Sequence, residues 1–414
     1  MKTLVIGPGG REHALARALS LDPAVTEVHV APGNPGMAAV ATLHDVDPLD
    51  GDAVAALAVG LGVDLVVVGP EAPLVAGVAD AVEACGIAVF GPSAAAAQLE
   101  GSKAFAKDVM NAARVPTARA LVCTTAEEAA TALDELGAPY VVKNDGLAAG
   151  KGVVVTEDRQ AALDHAVACD RVVIEEYLDG PEVSLFVVTD GSTVYPMQPA
   201  QDFKRIFDGD AGANTGGMGA YTPLPWAPAD LVEEVLDTVA HPTIQEMSRR
   251  GTPFKGLLYI GLALTSRGVR VVEFNARFGD PETQPLLALL DQDASPLSAL
   301  LMGAATGSLA SVTPPAWREG AAVGVVMASR GYPASSSSGD VITGVDAAEA
   351  LADVHVIQAG TALRDGSLVT AGGRVLAVVG VGEDVAAARA AAYDGVACIS
   401  FDGAQHRTDI AAGI

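Results

Sequence analysis

Four short aliphatic segments in the first hundred residues are each followed by a loop rich in glycine or proline. The segments are residues 3–6 (TLVI), 27–30 (EVHV), 65–68 (LVVV) and 87–90 (IAVF). Strands that are apolar on both faces and alternate with helical stretches are typical of a parallel sheet covered by helices. Ligands of such sheets bind beyond the carboxyl ends of the strands, which is where these loops fall. The sequence therefore predicts an N-terminal parallel α/β domain with a binding site at its loops.

Composition limits the classes of partner. The chain has 414 residues, half of them hydrophobic, which is enough for several domains with large cores. Its formal net charge is −26, from 25 Lys and Arg against 51 Asp and Glu. Such a charge repels nucleic acid and anionic membrane surfaces, so we expect neither as a partner. The four dispersed cysteines indicate free thiols, and the first residues do not resemble a signal peptide, so we expect a cytoplasmic protein.

The loop after the first strand, residues 7–13 (GPGGREH), leads into a predicted helix. A dinucleotide-binding G-x-G-x-x-G motif would need glycine where Glu12 stands, and no acidic residue follows the second strand, so a nicotinamide cofactor is disfavoured. Backbone N–H groups and the helix dipole in such a loop still favour an anion. We expect a phosphorylated substrate here, with a turn that serves only packing as the alternative.

A second loop of small residues, 143–152 (KNDGLAAGKG), lies between two predicted strands. It is not a P-loop, because Asp145 and Gly152 stand where that motif requires glycine and serine or threonine. It does carry a lysine near each end, at Lys143 and Lys151. We expect this loop to close over a nucleoside triphosphate, and a plain β-hairpin is the alternative.

Residues 273–275 (EFN) lie in a predicted strand and supply oxygen ligands. Because residues two apart in a strand face the same side, the carboxylate of Glu273 and the amide oxygen of Asn275 point together. One or two such ligands, with substrate phosphates and waters, commonly hold Mg²⁺. Arg277 has the same parity, and residues 280–283 (DPET) continue the site. An ordinary strand with a surface salt bridge is the alternative.

Together with further segments, these motifs resemble one family, the phosphoribosylamine–glycine ligases of purine biosynthesis. The segments that carry the resemblance include VIGPGGREHALA, APGNPG, VGPEAPLVAGV, KNDGLAAGKGVVV, IEEYLDGPEVS, NTGGMGAY and EFNARFGDPETQPLL. They cover nearly the whole chain in the order of the family. The resemblance implies an ATP-grasp enzyme that joins glycine to 5-phosphoribosylamine through glycyl phosphate, giving glycinamide ribonucleotide, ADP and phosphate.

The resemblance also implies a multidomain α/β and α+β fold. An N-terminal parallel-sheet domain and a helical linker would be followed by the lid and central subdomains of the ATP-grasp fold and by a β-rich C-terminal domain. In the same order, their bounds are residues 1–100, 101–120, 121–187, 188–315 and 316–414. Strands predicted after the first domain include residues 140–143, 152–155, 172–177, 182–188, 257–264, 269–275 and 374–380. An alanine-rich helix is predicted for residues 383–393, and a monomer is expected.

By resemblance, each motif is assigned a ligand. For ATP the residues are Lys103, Lys143, Gly150, Lys151, Glu175, Glu176, Leu178 and Glu182. For Mg²⁺ or Mn²⁺ they are Glu273 and Asn275. For the other two substrates they are Gly9, Gly10, Asn34 and Glu71 (phosphoribosylamine), Asp202 and Arg277 (glycine), and Gly216 and Gly217. Lys143 and Arg277 are in addition assigned to catalysis.

Three other functions remain open from the sequence. The first is another ATP-grasp carboxylate–amine ligase or a carboxylase. The second is a nucleotide-binding scaffold without catalytic activity, and the third is an NAD-dependent dehydrogenase. The chain departs from the family pattern at Asn144, at Phe203, where a histidine is common, and in a short connection over residues 152–175. These departures concern the lid and the glycine pocket.

Overall fold

The computed structural model of the chain describes residues 1–147 and 152–414. The α helices, numbered along the chain, are α1 (Gly10–Leu21), α2 (Gly51–Leu61), α3 (Glu71–Val75), α4 (Val78–Ala84), α5 (Gln98–Gly101), α6 (Lys103–Ala113), α7 (Ala126–Leu136), α8 (Arg159–Val167), α9 (Leu231–Val235), α10 (His241–Arg249), α11 (Thr283–Leu289), α12 (Leu297–Thr306), α13 (Val345–Glu349) and α14 (Val385–Cys398). A π-helical turn at Leu236–Ala240 joins α9 to α10.

The strands are β1 (Lys2–Ile6), β2 (Glu27–Ala31), β3 (Thr42–Leu43), β4 (Leu65–Val68), β5 (Ala88–Phe90), β6 (Ala120–Cys123), β7 (Tyr140–Asn144), β8 (Val153–Thr156), β9 (Val172–Glu175), β10 (Glu182–Thr189), β11 (Val194–Pro196), β12 (Gln201–Asp202), β13 (Arg205–Phe207), β14 (Ala211–Asn214), β15 (Gly219–Thr222), β16 (Gly256–Thr265), β17 (Gly268–Asn275), β18 (Ala321–Ala328), β19 (Val354–Gln358), β20 (Thr361–Arg364), β21 (Ser367–Thr370) and β22 (Arg374–Gly382).

The N-terminal strands form a parallel sheet in the order β3-β2-β1-β4-β5. Leu4 and Ile6 of β1 belong to the core that α2 and α4 share, while Val5 belongs to the core beside α1. Both faces of the strand are therefore buried, which explains why its sequence is continuously apolar. The prediction of a parallel α/β domain is confirmed. The two-residue edge strand β3 was not predicted, because it is too short to show a pattern.

A second sheet, antiparallel and ordered β6-β9-β7-β8, carries α7 and α8. We call these strands and helices the lid subdomain. Its own small core contains Leu133 of α7, Ala162 of α8, and Val142 and Ile174 of the sheet. Strand β9 ends at Glu175, two residues before the predicted end. The chain beyond it leaves the sheet and leads into β10.

A third sheet, antiparallel and ordered β11-β10-β16-β17, is the central sheet. The strands predicted for residues 257–264 and 269–275 are confirmed as β16 and β17, which form a hairpin with a turn at Ser266 and Arg267. Leu258, Ile260 and Leu262 of β16 are fully buried. The long hairpin therefore forms a rigid support for the residues at the end of β17.

A fourth sheet combines strands from before and after residue 315, in the order β12-β15-β18-β22-β19. The connecting pair is β15 and β18, which are antiparallel over Gly219–Thr222 and residues 322–325. Helix α14 packs on β18 and β22. It is longer than the predicted residues 383–393, since its first turn is capped by Asp384 and helical residues continue to Cys398. No helix in the described part of the chain is long and apolar enough to cross a membrane.

Candidate active site

A buried carboxylate, Glu175, lies between two lysines at the base of the lid subdomain. Its Oε2 is 3.0 Å from Lys143 Nζ, and its Oε1 is 3.1 Å from Lys107 Nζ. Burial disfavours the charged form of Lys143, but Glu175 and the nearby Glu273 outweigh this effect and raise the pKa of the ammonium group. Lys143 is therefore a fixed positive charge. Glu175, which the family resemblance assigned to ATP, contacts a lysine with each of its two carboxylate oxygens.

Lys143 also connects the lid subdomain to the central sheet. Its Nζ donates to the carbonyl of Val272 in β17 at 3.0 Å. Lys103, the first residue of α6, donates from Nζ to the carbonyl of Gly146 at 2.9 Å. Burial lowers the pKa of Lys103, an effect that Glu273 opposes and Lys143 reinforces. Lys103, Lys143 and Glu273 thus form one charged cluster where the lid subdomain meets the central sheet.

Glu273 and Asn275 lie on the same face of β17, as their two-residue spacing predicted. They pair with Gly261 and Tyr259 of β16, and Phe274 between them is buried on the other face. A Cβ atom on Gly261 would lie 3.4 Å from Glu273 Cγ, which is an ordinary contact distance, so the stem of Glu273 lies directly over β16. The strand therefore presents two oxygen ligands beside the lysine cluster.

Arg277 follows β17 and is held by two carboxylates. Its Nη2 is 3.0 Å from Glu100 Oε1, and its Nε is 3.3 Å from Glu71 Oε2. Nη2 also donates to Asn275 Oδ1 at 3.3 Å. Burial disfavours the charged guanidinium, but Glu100 and Glu71 outweigh it and raise the pKa of Arg277. Glu100, whose own pKa is raised chiefly by burial, is a site residue that the sequence did not reveal.

A second acid–base group surrounds Lys204, two residues after Asp202. Lys204 Nζ forms an ion pair with Glu182 and lies 3.6 Å from Asp202 Oδ1. Burial raises the pKa of Asp202 to about 7, against the opposing charge of Lys204. Burial disfavours the charged form of Lys204, but Asp202 and Glu182 outweigh burial and raise the pKa of Lys204. Glu273 is also close enough to contribute to this increase. This group therefore borders the cluster around Glu273. The sequence did contain a signal for Lys204: it lies two residues after Asp202, a spacing that places both side chains on the same side of an extended chain.

The loop between β1 and α1 is filled by the chain's own side chains. The amide of Gly9 donates to Glu12 Oε2 at 2.7 Å, so the backbone group expected to bind an anion is already occupied. Glu12 also pairs with Arg11 at 2.5 Å, and both side chains are buried. A Cβ atom on Gly10 would lie 2.9 Å from Gln284 Nε2. The loop is thus packed against the start of α11.

Asn34 connects this loop to the C-terminal part of the chain. Its Nδ2 donates to the carbonyls of Pro8 and Gln358, at 2.8 and 2.9 Å, and its Oδ1 accepts from the amide of Gly36. Every polar atom of the side chain is therefore engaged in holding the loop. Glu71, the other predicted residue here, lies at the start of α3 and contacts Arg277 as described.

Arg374, the first residue of β22, closes this region from the C-terminal side. It donates from Nη1 to the carbonyls of Gly216 and Asp280, at 2.5 and 2.7 Å. Its Nη2 lies 3.1 Å from Asp280 Oδ2. Gly217 approaches Pro281 so closely that a Cβ atom there would lie 2.4 Å from the ring. Sequence reasoning missed Arg374, because nothing local marks a contact across 94 residues or more.

The remaining predicted ATP residues lie beyond β9 or in the connection between β7 and β8, which we call the lid loop. The amide of Glu176 donates to the carbonyl of Arg119 at 3.0 Å, and its carboxylate contacts the amide of Arg119 and the side chain of Arg267. Leu178 is half-buried in the irregular chain that follows. Gly150 and Lys151 lie outside the described residues.

The described residues define a class of protein. Two antiparallel sheets, in the lid subdomain and the central region, meet at a cluster of lysines and carboxylates, which is the ATP-grasp architecture. The biotin carboxylase domain of 2-oxoglutarate carboxylase from Hydrogenobacter thermophilus has a similar fold, with a TM-score of 0.70 over 98% of this chain and 91% of its own. At 17% identity that similarity shows the fold alone.

The chain belongs to the phosphoribosylamine–glycine ligase family. Family models described as the N domain, the ATP-grasp (A) domain and the C domain of phosphoribosylglycinamide synthetase match residues 1–100, 101–283 and 322–413. The phosphoribosylamine–glycine ligase of Streptomyces coelicolor is 66% identical over 100% of this chain and 99% of its own length. The solved structure of the same enzyme from Thermotoga maritima is 32% identical, with a TM-score of 0.85 over 99% of this chain and 100% of its own. The resemblance found in the sequence is confirmed.

Proposed function

We propose that this protein uses ATP to join glycine to 5-phosphoribosylamine, giving glycinamide ribonucleotide, ADP and phosphate. The observation that carries the proposal is the convergence of Lys103, Lys143 and Glu273 between the lid subdomain and the central sheet. Fixed cations beside an oxygen ligand are what a nucleoside triphosphate and its divalent metal require. The family match over most of the chain supports glycine and phosphoribosylamine as the other substrates.

Glu273 and Asn275 would hold the divalent metal, Mg²⁺ or Mn²⁺. Both side chains supply oxygen from one face of one strand. The described part of the chain contains no group of three or more His, Cys, Asp or Glu residues suited to a metal ion. This fits a cation that takes one carboxylate, one amide oxygen and the rest of its ligands from substrate phosphates and water. When bound, such a cation offsets charge on the β- and γ-phosphates.

Two chemical steps follow from the substrates. A carboxylate oxygen of glycine attacks the γ-phosphorus of ATP, and ADP leaves with the electrons of the broken bond, forming glycyl phosphate. The amine nitrogen of phosphoribosylamine then attacks the carbonyl carbon, and the adduct loses phosphate and a proton to give the amide. Lys103 and Lys143 would stabilise the transferring phosphoryl group. Arg277, kept protonated by Glu100 and Glu71, would stabilise charge on the acyl oxygen.

The two acceptor substrates would bind on either side of this cluster. Glycine would place its ammonium group on Asp202 and its carboxylate on Arg277. Phosphoribosylamine would lie among the loops that contain Gly9, Gly10, Asn34, Glu71, Gly216 and Gly217. Arg374 adds a cation to these loops that supports a phosphate-bearing substrate there.

The adenine of ATP would lie beside residues 176–178, where the chain leaves β9, and the ribose beside Glu182. The lid loop, with Gly150 and Lys151, would close over the phosphates and keep water from glycyl phosphate. We further propose that the protein acts as a monomer in the cytoplasm. Its net charge of −26 supports the absence of nucleic-acid and membrane partners.

The test is a coupled assay of ADP release in which each substrate is omitted in turn. We expect release to need glycine and phosphoribosylamine together, with glycinamide ribonucleotide formed in equal amount. ADP release with bicarbonate or with another amino acid in place of glycine would assign the chain to a different ATP-grasp reaction. ATP binding without turnover under any combination would favour a nucleotide-binding scaffold instead.

A further inference from the structure

A cavity of about 210 Å³ lies between α1 and the C-terminal part of the chain. It is lined by residues of α1, α11 and β19, together with the segment that precedes β18. It shares no residue with those proposed to bind ATP, metal, glycine or phosphoribosylamine. Sites for drug-sized ligands are usually larger, so this cavity suits a small molecule or an inorganic anion.

Two arginines and a histidine line this cavity. Arg17 Nη2 lies 3.1 Å from His355 Nδ1. A guanidinium group can only donate, so Nδ1 accepts and the imidazole of His355 is neutral. Burial, together with the charges of Arg17 and Arg318, lowers the pKa of His355 to about 4. His355 therefore orients Arg17 without competing for an anion.

Arg17 forms no ion pair in residues 1–147 and 152–414, since no carboxylate oxygen lies within ion-pair distance of its guanidinium. Burial lowers the pKa of Arg17, Glu349 opposes this from a distance, and Arg318 adds to it. A half-buried cation without an ion pair is less favourable than one that has an anion in contact with it. An anion between Arg17 and Arg318 would supply that contact and offset the repulsion between the two guanidinium groups.

Arg318 is available at the rim of the cavity. Its side chain is exposed and donates to the carbonyl of Ala288. Two acidic residues, Asp291 and Asp293, also line the cavity. Asp291 Oδ1 accepts from the amides of Asp293 and Ala294, which engages it in its own loop, and Asp293 is exposed to solvent. Neither carboxylate forms an ion pair with Arg17 or Arg318 within the described residues, so both guanidinium groups can still pair with an anion.

We infer that this cavity binds a phosphate group between Arg17 and Arg318. The site is separate from the cluster of Lys103, Lys143 and Glu273, which we call the reaction cleft. The phosphate is either free inorganic phosphate or that of a small phosphorylated metabolite. Guanidinium groups are suited to it because they form paired, charge-assisted hydrogen bonds with phosphate oxygens. The inference depends on the cavity and its cations, and it stands or fails separately from the proposed ligase activity.

The test is calorimetric titration with inorganic phosphate and, in a second arm, with ribose 5-phosphate. Mg²⁺ and ADP are present at saturation, so that the nucleotide site is occupied. Compared with the wild type, Arg17→Met and Arg318→Met should each weaken binding by about tenfold or more, the usual cost of losing a charge-assisted hydrogen bond. Tighter binding of inorganic phosphate would identify the ligand as free phosphate, and tighter binding of ribose 5-phosphate would identify it as a phosphorylated metabolite.

Two control variants make the result decisive. Arg364→Met, at an exposed arginine of β20, removes the same charge away from the cavity and should leave phosphate binding unchanged. Lys143→Met should also leave phosphate binding unchanged, since Lys143 lies in the reaction cleft.

Equal affinity in the wild type and in both cavity variants would overturn the inference. Loss of binding in Lys143→Met alone would overturn it too, because phosphate would then bind in the reaction cleft. Arg318 is exposed, so its variant is informative even if Arg17→Met does not fold.

Discussion

Glu273 is the carboxylate on which the proposed metal site depends. It lies beside Lys103 and Lys143, on the same face of β17 as Asn275. Its carboxylate forms no ion pair or hydrogen bond with another described residue, so the fold does not depend on such a contact at this position. At the scale of single residues, chemistry and stability are therefore separable at this position.

We expect Glu273→Gln to lower kcat by at least about a hundredfold, because the amide removes a negative ligand from the metal, while the melting temperature changes little. A removed electrostatic contact of this kind typically costs about 2.7–4 kcal/mol of barrier. Steady-state assays and calorimetric melting measure the two effects. Glu157→Gln, at an exposed glutamate, is the matched control. Wild-type turnover in Glu273→Gln would remove the metal assignment.

Glu175 should behave in the opposite way, as a residue required for stability. Glu175→Gln leaves Lys143 and Lys107 buried without their shared carboxylate, which should cost about 3–5 kcal/mol of unfolding free energy. In Lys143→Met, Glu175 keeps Lys107, so the loss of stability should be smaller, while ATP binding should weaken far more than glycine binding. Urea unfolding and ligand titration measure these quantities. Similar instability in both variants would contradict the asymmetry.

At the scale of elements, the site is assembled by contacts between loops that are distant in sequence. Arg374 at the start of β22 donates to the carbonyls of Gly216 and Asp280. Gly217 has a φ of +111° and lies against Pro281, so a side chain there would be strained and would displace the loop. The two loops therefore fix each other's position.

Gly217→Ala should lower activity by at least about tenfold and stability by about 1–3 kcal/mol, since it both strains the backbone and moves the loop beside Arg277. Gly307→Ala is the control, because Gly307 also has a positive φ but has open space around its Cα. The control should lose similar stability and retain full activity. Unchanged activity in Gly217→Ala would show that the loop position does not matter for the reaction.

At the scale of the whole molecule, the N-terminal domain is joined to the C-terminal part through α1 and β19. His13 of α1 is buried, and its Nδ1 accepts from the amide of Gln358 at 2.9 Å. Burial lowers the pKa of His13 to about 4, and a protonated Nδ1 could no longer accept the hydrogen bond from Gln358. Protonation of His13 is therefore incompatible with this contact between α1 and β19.

The unfolded chain binds this proton near pH 6.5 and the folded chain only near pH 4, so folding is favoured by neutral His13. The contribution is complete above pH 6.5 and is lost as the pH falls toward 4, by about 3 kcal/mol in total. His13→Asn, whose amide oxygen can accept from Gln358, should flatten this part of the pH profile. Urea unfolding at pH 4 to 7 measures it. An equal slope in wild type and variant would exclude His13 as the cause.

Local patterns in the sequence were sufficient to predict much of the fold and several residues of the candidate site. Apolar segments and glycine loops predicted the N-terminal parallel sheet, and the spacing of Glu273 and Asn275 predicted their common face, because backbone periodicity is a local property. Lys143 was singled out by its glycine loop. The family resemblance supplied the reaction and the domain order.

Tertiary structure alone decided how these parts meet. The pairing of β15 with β18, the carboxylate of Glu175 between two lysines, and the contacts of Arg374 join residues that lie dozens to more than a hundred positions apart. Such contacts depend on which surfaces are buried against each other. The order of residues within one segment does not indicate which distant segment will pack against it. The sequence by itself determined which side chains are available for chemistry; folding determined which of them are paired, buried or left free to bind a ligand.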